Sequence, residues 1–421
     1  MMLQAFQTFA IGAYNIHTME QVIGLFRGCE LSDAPFVLAV YPSTQRYAGA
    51  RMLEAIIMQA EREFPNVVFG VNLDHGDEAL CYDAIDSGVY TSVMIDASAE
   101  PFAKNVEISR RVVEYAHARG VSVEGMVGEI GGFEKHMRIL PESDVLLTDP
   151  KQAERYLAET GCDVLAVSIG SRHGHKKAEG AARVVDLGRL AEIAAAVPGV
   201  PLVMHGGSNI PADEVARVNA AGGQLGSARG MDAQEQATLH RFGIAQVNVS
   251  SDSFLIWSRV HREFFRDHPD RIDLREAGAR FIDDYATFIA RKNATLGSAG
   301  RLEEIKRALS PGVVPPGVVP PDREPSRTAG QVPHFAGMHT PVSEADLVGQ
   351  EFIEMRNGAV IFQLSDGRYH VVSHFAVPSI EAARSAIAPD ARQVTSEVPQ
   401  STGTSRCSGA SGEASSALLG A

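Results

Sequence analysis

Three histidines in this sequence sit where short apolar runs end. His75 follows VFGVNLD, His173 lies in LAVSIGSRHGHKK, and His205 follows PLVM and precedes Gly206-Gly207-Ser208. Neutral imidazole is the commonest nitrogen ligand of zinc, and three protein ligands leave a coordination position open for a substrate. Taken singly, each reads as well as a hydrogen-bonded histidine at the rim of a core. Three at equivalent strand ends favour a shared metal ion. His136 and His175 are nearby competitors that composition does not exclude.

Other reactive side chains fall at the same places. Asp74 adjoins His75 and could exchange a proton beside a metal-held oxygen, or simply support the histidine. Asp96 closes SVMID and has three readings: a metal ligand in a second position, an acceptor that orients a ligand, or a helix N-cap. Gly174, the Gly206-Gly207-Ser208 turn, Asn248, Ser250 and Ser251 offer backbone N–H groups and hydroxyls after late strands, which is how barrels commonly hold a phosphate. Glycine turns alone say little, since any tight turn uses them. Gly131-Gly132-Phe133-Glu134 reads as a hinge carrying a glutamate that reaches a substrate on closure, or equally as a solvated loop.

These side chains need a frame that gathers strand ends. Short β-rich runs at 9–16, 35–41, 66–73, 92–96, 121–127, 164–169, 201–204 and 244–249 alternate with helical-period stretches such as 49–63, 104–119 and 150–160. Gly88, Gly120 and Gly161 supply helix stops. Strands alternating with helices imply a parallel sheet, and eight of them predict a closed (β/α)₈ TIM barrel with chemistry at its carboxyl end. Residues 222–242, glycine-rich at the start, read as an insertion before the last strand, a mobile loop with a short helix.

The barrel is expected over residues 1–308. A Pro-rich linker, PGVVPPGVVPPDREP within 309–330, follows it. Residues 331–395 form a small β-rich segment with hairpin signals at Asn357-Gly358 and Asp366-Gly367. The Ser, Gly and Ala-rich tail, 396–421, is expected to be disordered. Over the 421 residues, 45% are apolar, enough for a large core, and the net charge of −14 disfavours nucleic-acid backbones as partners. Cys29, Cys81, Cys162 and Cys407 are scattered, which argues against a disulfide framework. No apolar run is long enough to span a membrane and no signal peptide is visible, so a cytoplasmic protein is expected.

The blocks GAYNIHTME, LDHG, SVMIDAS, VEGMVGEIGGFE, LAVSIGSRHGHKK, LVMHGGSNIP and QVNVSSD, in this order from about residue 9 to 301, resemble the successive signatures of class II fructose-bisphosphate and tagatose-bisphosphate aldolases. The resemblance implies one catalytic Zn²⁺ on His75, His173 and His205. It implies that Asp74 exchanges a proton with the substrate C4 hydroxyl, and that Glu134 handles the C3 proton of the three-carbon donor. Gly174, Gly206, Ser208, Asn248, Ser250 and Ser251 match phosphate and donor-binding positions. Asn15 and Gly207 are grouped with them, Ser43 matches a phosphate-side serine, and Lys177 a lysine after the second histidine block. A monovalent cation near the phosphate, a phosphorylated sugar substrate, and a homodimer or homotetramer complete the expectation.

The chemistry is consistent with this. Retro-aldol cleavage leaves a carbanion beside a carbonyl, which a metal or a lysine Schiff base must stabilise. None of Lys104, Lys135, Lys151, Lys176, Lys177, Lys292 and Lys306 lies within an apolar strand candidate, so the metal route is favoured. There are departures from the family pattern. Met126 replaces a glutamate associated with an alternative metal position, which predicts that this position is weakened or absent, because a thioether does not replace a carboxylate for borderline cations. Arg172 stands where a small residue is usual, Lys135 where an aspartate follows the loop glutamate, and Ser250 where fructose-type enzymes often carry aspartate. These changes bear on which ketose phosphate is used. Rival readings are a metal-dependent barrel hydrolase and an inactive barrel scaffold.

Overall fold

A computed structural model describes residues 1–130, 147–174, 185–226, 228 and 230–309, and the backbone of three strands within 351–373. The chain forms two compact units, Met1–Pro325 and Ser326–Ala421.

The described residues of the first unit contain eight strands: β1 (Ile11–Asn15), β2 (Phe36–Val40), β3 (Phe69–Gly76), β4 (Ser92–Ile95), β5 (Ser122–Val127), β6 (Val164–Val167), β7 (Leu202–Met204) and β8 (Ile244–Val249). They pair in parallel in chain order, and β8 returns to β1, so the sheet closes as a TIM barrel. The strands are buried along nearly their whole length because helices cover one face and the barrel interior the other. That is why they read as continuous apolar runs rather than as alternating ones.

Inside the barrel, Met94, Met126, Ile130, Ala166 and Val203 pack as one cluster, and Ile11, Ala13, Val37 and Ala245 join Ala5, Phe9 and Ile305 in another. The helices start where the chain supplies caps. Thr18 and Gln21 form a reciprocal capping box on helix Met19–Leu31, and Asp77, Asp149, Asp186 and Asp273 each accept from the first turn of their helices. Gly88 and Gly161 end helices in the left-handed conformation, which costs glycine little. Among the described residues no helix is long and apolar enough to cross a membrane, and Cys29, Cys81 and Cys162 are free and buried.

Residues 222–242 are more ordered than a bare loop. Their described part holds a short helix, Ala233–Gln236, and a 3₁₀ turn, Leu239–Phe242. In the second unit, β9 (Glu351–Arg356), β10 (Ala359–Gln363) and β11 (Tyr369–Ser373) pair antiparallel in the order β11-β10-β9. Leu309, the first residue of the expected linker, ends helix Leu302–Leu309; the rest of the linker, the expected turns at 357–358 and 366–367, and the tail lie outside the described residues.

Helix Met19–Leu31 lies against helix Leu274–Leu296 at a glycine-permitted distance. A Cβ at Gly28 would stand 2.6 Å from the Ala286 carbonyl oxygen and 2.5 Å from Ile289 Cβ. Gly28→Val is therefore expected to force the helices apart and to destabilise the barrel by about 1–3 kcal/mol. Chemical denaturation of the two proteins would show it, and equal midpoints would refute the contact.

Candidate active site

His75, the penultimate residue of β3, has φ of +54°, a left-handed conformation that non-glycine residues seldom adopt and that clusters at functional sites. The unusual backbone turns its ring into the barrel mouth. His205 directly follows β7 and is completely buried. His173 lies in the segment after β6. One nitrogen from each of the three rings falls within 4.8 Å of the others, an arrangement that could hold a metal ion.

On His75 and His205 the other ring nitrogen is hydrogen-bonded to a carboxylate. His75 Nδ1 lies 2.6 Å from Asp96 Oδ2, and His205 Nε2 lies 2.8 Å from Glu124 Oε1. Each carboxylate accepts an N–H, which selects the tautomer that leaves His75 Nε2 and His205 Nδ1 as the inward-facing atoms. Those two atoms are 3.1 Å apart. Two lone pairs at that distance repel unless a proton or a cation lies between them. Tetrahedral coordination with bonds of about 2.0–2.1 Å needs ligand nitrogens about 3.3 Å apart, so the pair nearly has the required spacing.

The electrostatics of the protein groups themselves reflect the same competition. Burial alone would lower His75, but the hydrogen bond to Asp96 and the charges of Asp96, Asp74 and Glu124 outweigh it and push the ring up to about 9. Burial, helped by a positive His75, drives His205 down to about 3. Burial raises Glu124 to about 8, opposed by His75. Asp96, although buried, is held well below the usual carboxylate range by His75 and Ser98. A bound cation would replace the shared proton and let both imidazoles stay neutral.

Asp74 borders this cluster. Its Oδ2 accepts from Asn15 Nδ2 at 2.7 Å and its Oδ1 from Asn248 Nδ2 at 3.4 Å, and Oδ1 stands 3.6 Å from His205 Nδ1. Asn15 comes from the end of β1 and Asn248 from β8, so the closed sheet brings the two amides around one carboxylate. Gln246 Nε2 donates to Asn248 Oδ1 at 2.9 Å and fixes that amide in turn.

One cavity at the mouth is lined by Asn15, Tyr41, Asp74, Arg172, His173, Gly174, Gly206, Ser208, Asn248, Ser250 and Ser251. Nine of these eleven are sequence candidates; Tyr41 and Arg172 are the other two. Ser250 and Ser251 open helix Ser251–Asp267, whose first-turn N–H groups favour an anion. Gly206 packs on the Arg172 backbone, where a Cβ would stand 2.5 Å from the carbonyl oxygen. No carboxylate pairs with Arg172 among the described residues.

Other candidates fall elsewhere. Gly207 is not among the cavity-lining residues; a Cβ there would meet Val247 and the Asn248 carbonyl, to which its N–H donates. Ser43, in the first turn of helix Pro42–Ala48, is not among the cavity-lining residues. Asp96 caps no helix; the next one, Phe102–His117, begins after Pro101 without a side-chain cap. Met126 is buried in the apolar interior cluster. Glu134, Lys135, Lys177, His136 and His175 lie outside the described residues.

Glu124 and Gln246 were not singled out as site residues from sequence. The available signal was parity, since Glu124 shares the inward face of β5 with Met126. Glu124→Gln should weaken divalent-metal binding about 10- to 100-fold in a competition titration, because the orienting carboxylate is lost. His205→Ala should abolish stoichiometric metal. Unchanged metal affinity in Glu124→Gln, or full stoichiometry in His205→Ala, would contradict this geometry.

Comparison with known proteins identifies the family and agrees with the barrel. The family model described as fructose-bisphosphate aldolase class-II matches residues 2–301. A fructose-bisphosphate aldolase of Thermus caldophilus is 35% identical over 296 residues, covering 70% of this chain and 94% of that protein. One from Giardia intestinalis is 34% identical over 300 residues, covering 71% and 91%. Among solved structures, the YdjI aldolase of Escherichia coli K12 superposes with a TM-score of 0.55 at 21% identity, covering 70% of this chain and 93% of that one. A fructose-bisphosphate aldolase of Campylobacter jejuni gives 0.52 at 14%, covering 69% and 91%, and like the previous structure speaks for the fold alone. The chain belongs to the class II fructose-bisphosphate aldolase family.

Proposed function

We propose that the protein is a zinc-dependent aldolase that reversibly cleaves fructose 1,6-bisphosphate or tagatose 1,6-bisphosphate to dihydroxyacetone phosphate and glyceraldehyde 3-phosphate. The observation that carries this reading is the convergence of three imidazoles within 4.8 Å, next to a carboxylate held by two amides. An all-imidazole donor set suits a borderline cation such as zinc better than magnesium or calcium, which prefer oxygen ligands. Zinc bound there would supply Lewis acidity to the substrate carbonyl and accommodate the charge released when the C3–C4 bond breaks.

The chain's own groups do the rest. Asp74 exchanges the proton of the C4 hydroxyl, and the amides of Asn15 and Asn248 keep it aimed at the cluster. Gly174, Gly206, Ser208, Ser250 and Ser251 receive the donor-side phosphate at the start of helix Ser251–Asp267. Glu134 is assigned the C3 proton of the donor, with Lys177 and Ser43 as further phosphate contacts and a monovalent cation beside that phosphate. The ketose is selected at the cavity rim, where Arg172 and Ser250 differ from the usual family pattern. The assembly is a cytoplasmic homodimer or homotetramer.

A coupled assay across ketose phosphates, with and without a chelator, tests the reading. Cleavage of a ketose bisphosphate that stops on chelation and returns with zinc is expected. Zinc-loaded protein that turns over no ketose phosphate would overturn the proposal. Asp74→Ala should lower kcat by about 100-fold or more with metal retained, a size typical of losing a proton-transfer group; loss of the metal instead would reassign Asp74 to metal support.

A further inference from the structure

A buried cluster behind the cavity is not used by the chemistry above. Lys292, on helix Leu274–Leu296, is only 3% exposed. Its ammonium contacts Asn209 Oδ1, lies 3.1 Å from Gln236 Oε1, and stands 3.7 Å from Asp252 Oδ2. Each of these partners holds one of the two loops that form the phosphate side of the mouth. Asp252 accepts from the backbone N–H groups of Asn209 at 3.0 Å and Ile210 at 2.8 Å. Gln236 Nε2 donates to the Gly207 carbonyl at 2.7 Å, and Asn209 Nδ2 donates to the Met231 carbonyl at 2.7 Å.

Two further observations show that this loop is held in place. Ile210 has φ of +47°, a conformation a β-branched residue adopts only under constraint from its surroundings. Gly230 passes so close that a Cβ there would stand 2.2 Å from the Asn209 carbonyl, and Met231 N–H donates to the Ser208 carbonyl at 3.0 Å. Gly230, Met231 and Gln236 of the 222–242 insertion thus buttress the loop after β7.

Charge matters as well as connection. Asp252 lies in the first turn of helix Ser251–Asp267 and is 1% exposed. Its negative charge sits directly behind the positions proposed to meet a phosphate and would repel that dianion if uncompensated. We propose that Lys292 is a positioning residue for the phosphate-binding loops: its ammonium ties Asn209, Gln236 and Asp252 together and neutralises the carboxylate behind the anion site. This rests on the phosphate-site assignment made under the proposed function.

The test uses zinc-loaded full-length protein and inorganic phosphate as the probe, measured by isothermal titration, together with kcat and KM for fructose 1,6-bisphosphate. Lys292→Met should bind phosphate about 10- to 100-fold more weakly and raise KM in parallel, with kcat within about threefold of wild type and zinc stoichiometry unchanged, the size expected for a lost charged interaction. The double variant Lys292→Met/Asp252→Asn should recover at least half of that loss on a logarithmic scale, because the unpaired negative charge is removed. A purely structural role predicts the opposite, since deleting a second brace should weaken binding further, and that result would overturn the proposal. So would unchanged phosphate affinity in Lys292→Met. If Lys292→Met does not accumulate as zinc-loaded protein, Gln236→Leu should weaken phosphate about 3- to 10-fold, and no change would overturn it. Wild-type protein that binds phosphate but cleaves no ketose phosphate would sink the aldolase reading while leaving the comparison of variants intact.

Discussion

The structure turns on two imidazole nitrogens, His75 Nε2 and His205 Nδ1, held 3.1 Å apart in a buried site. Neither can approach the other so closely unless something positive lies between them. The surrounding architecture enforces that approach. Asp96 and Glu124 hold the far nitrogens, a left-handed backbone at His75 aims its ring, and the closed sheet leaves neither strand room to retreat. A site under such constraint could take a cation with little binding energy spent on ordering its ligands.

The same logic extends outward in layers. Asp74 is held by Asn15 and Asn248, and Asn248 by Gln246. The loops after β7 and β8 are stitched to each other, since Gly207 N–H donates to the Asn248 carbonyl and Ser250 N–H to Ser208 Oγ. Behind them, Lys292 and Asp252 form a buried ion pair whose partners all come from those loops, the insertion or helix Leu274–Leu296. Ionic groups are costly to bury, so a satisfied cluster beside the mouth is better understood as specifying loop geometry than as stabilising the barrel.

Substitution at Met126 has a structural consequence that fits its surroundings. Its side chain completes an apolar cluster with Met94, Ile130, Ala166 and Val203. A carboxylate at that point would be buried without an evident partner in the cluster, whereas Glu124, two residues earlier on the same face of β5, has His205. The interior thus retains one buried carboxylate on β5, and its placement supports a histidine.

Much of the fold and part of the site were legible in the residues alone. Repeating apolar runs and helical periods announced a barrel, because each strand is buried on both faces and each helix on one, and such burial must be written locally in side-chain type. His75, His173 and His205 could be picked out because they follow those runs, and Asp74, Asn248 and Ser250 for the same reason. The role of Asp96 stayed open among three readings, since choosing requires knowing that β3 and β4 place its carboxylate 2.6 Å from an imidazole. Glu124, Gln246, Tyr41 and the Lys292 cluster were decided only by tertiary structure. Their partners are 56 to 83 residues away in the cases of Gln236, Asn209 and His205. Local pattern records which face of an element is buried; it does not record which distant polar group closes against it, because that depends on how the sheet curls into a barrel.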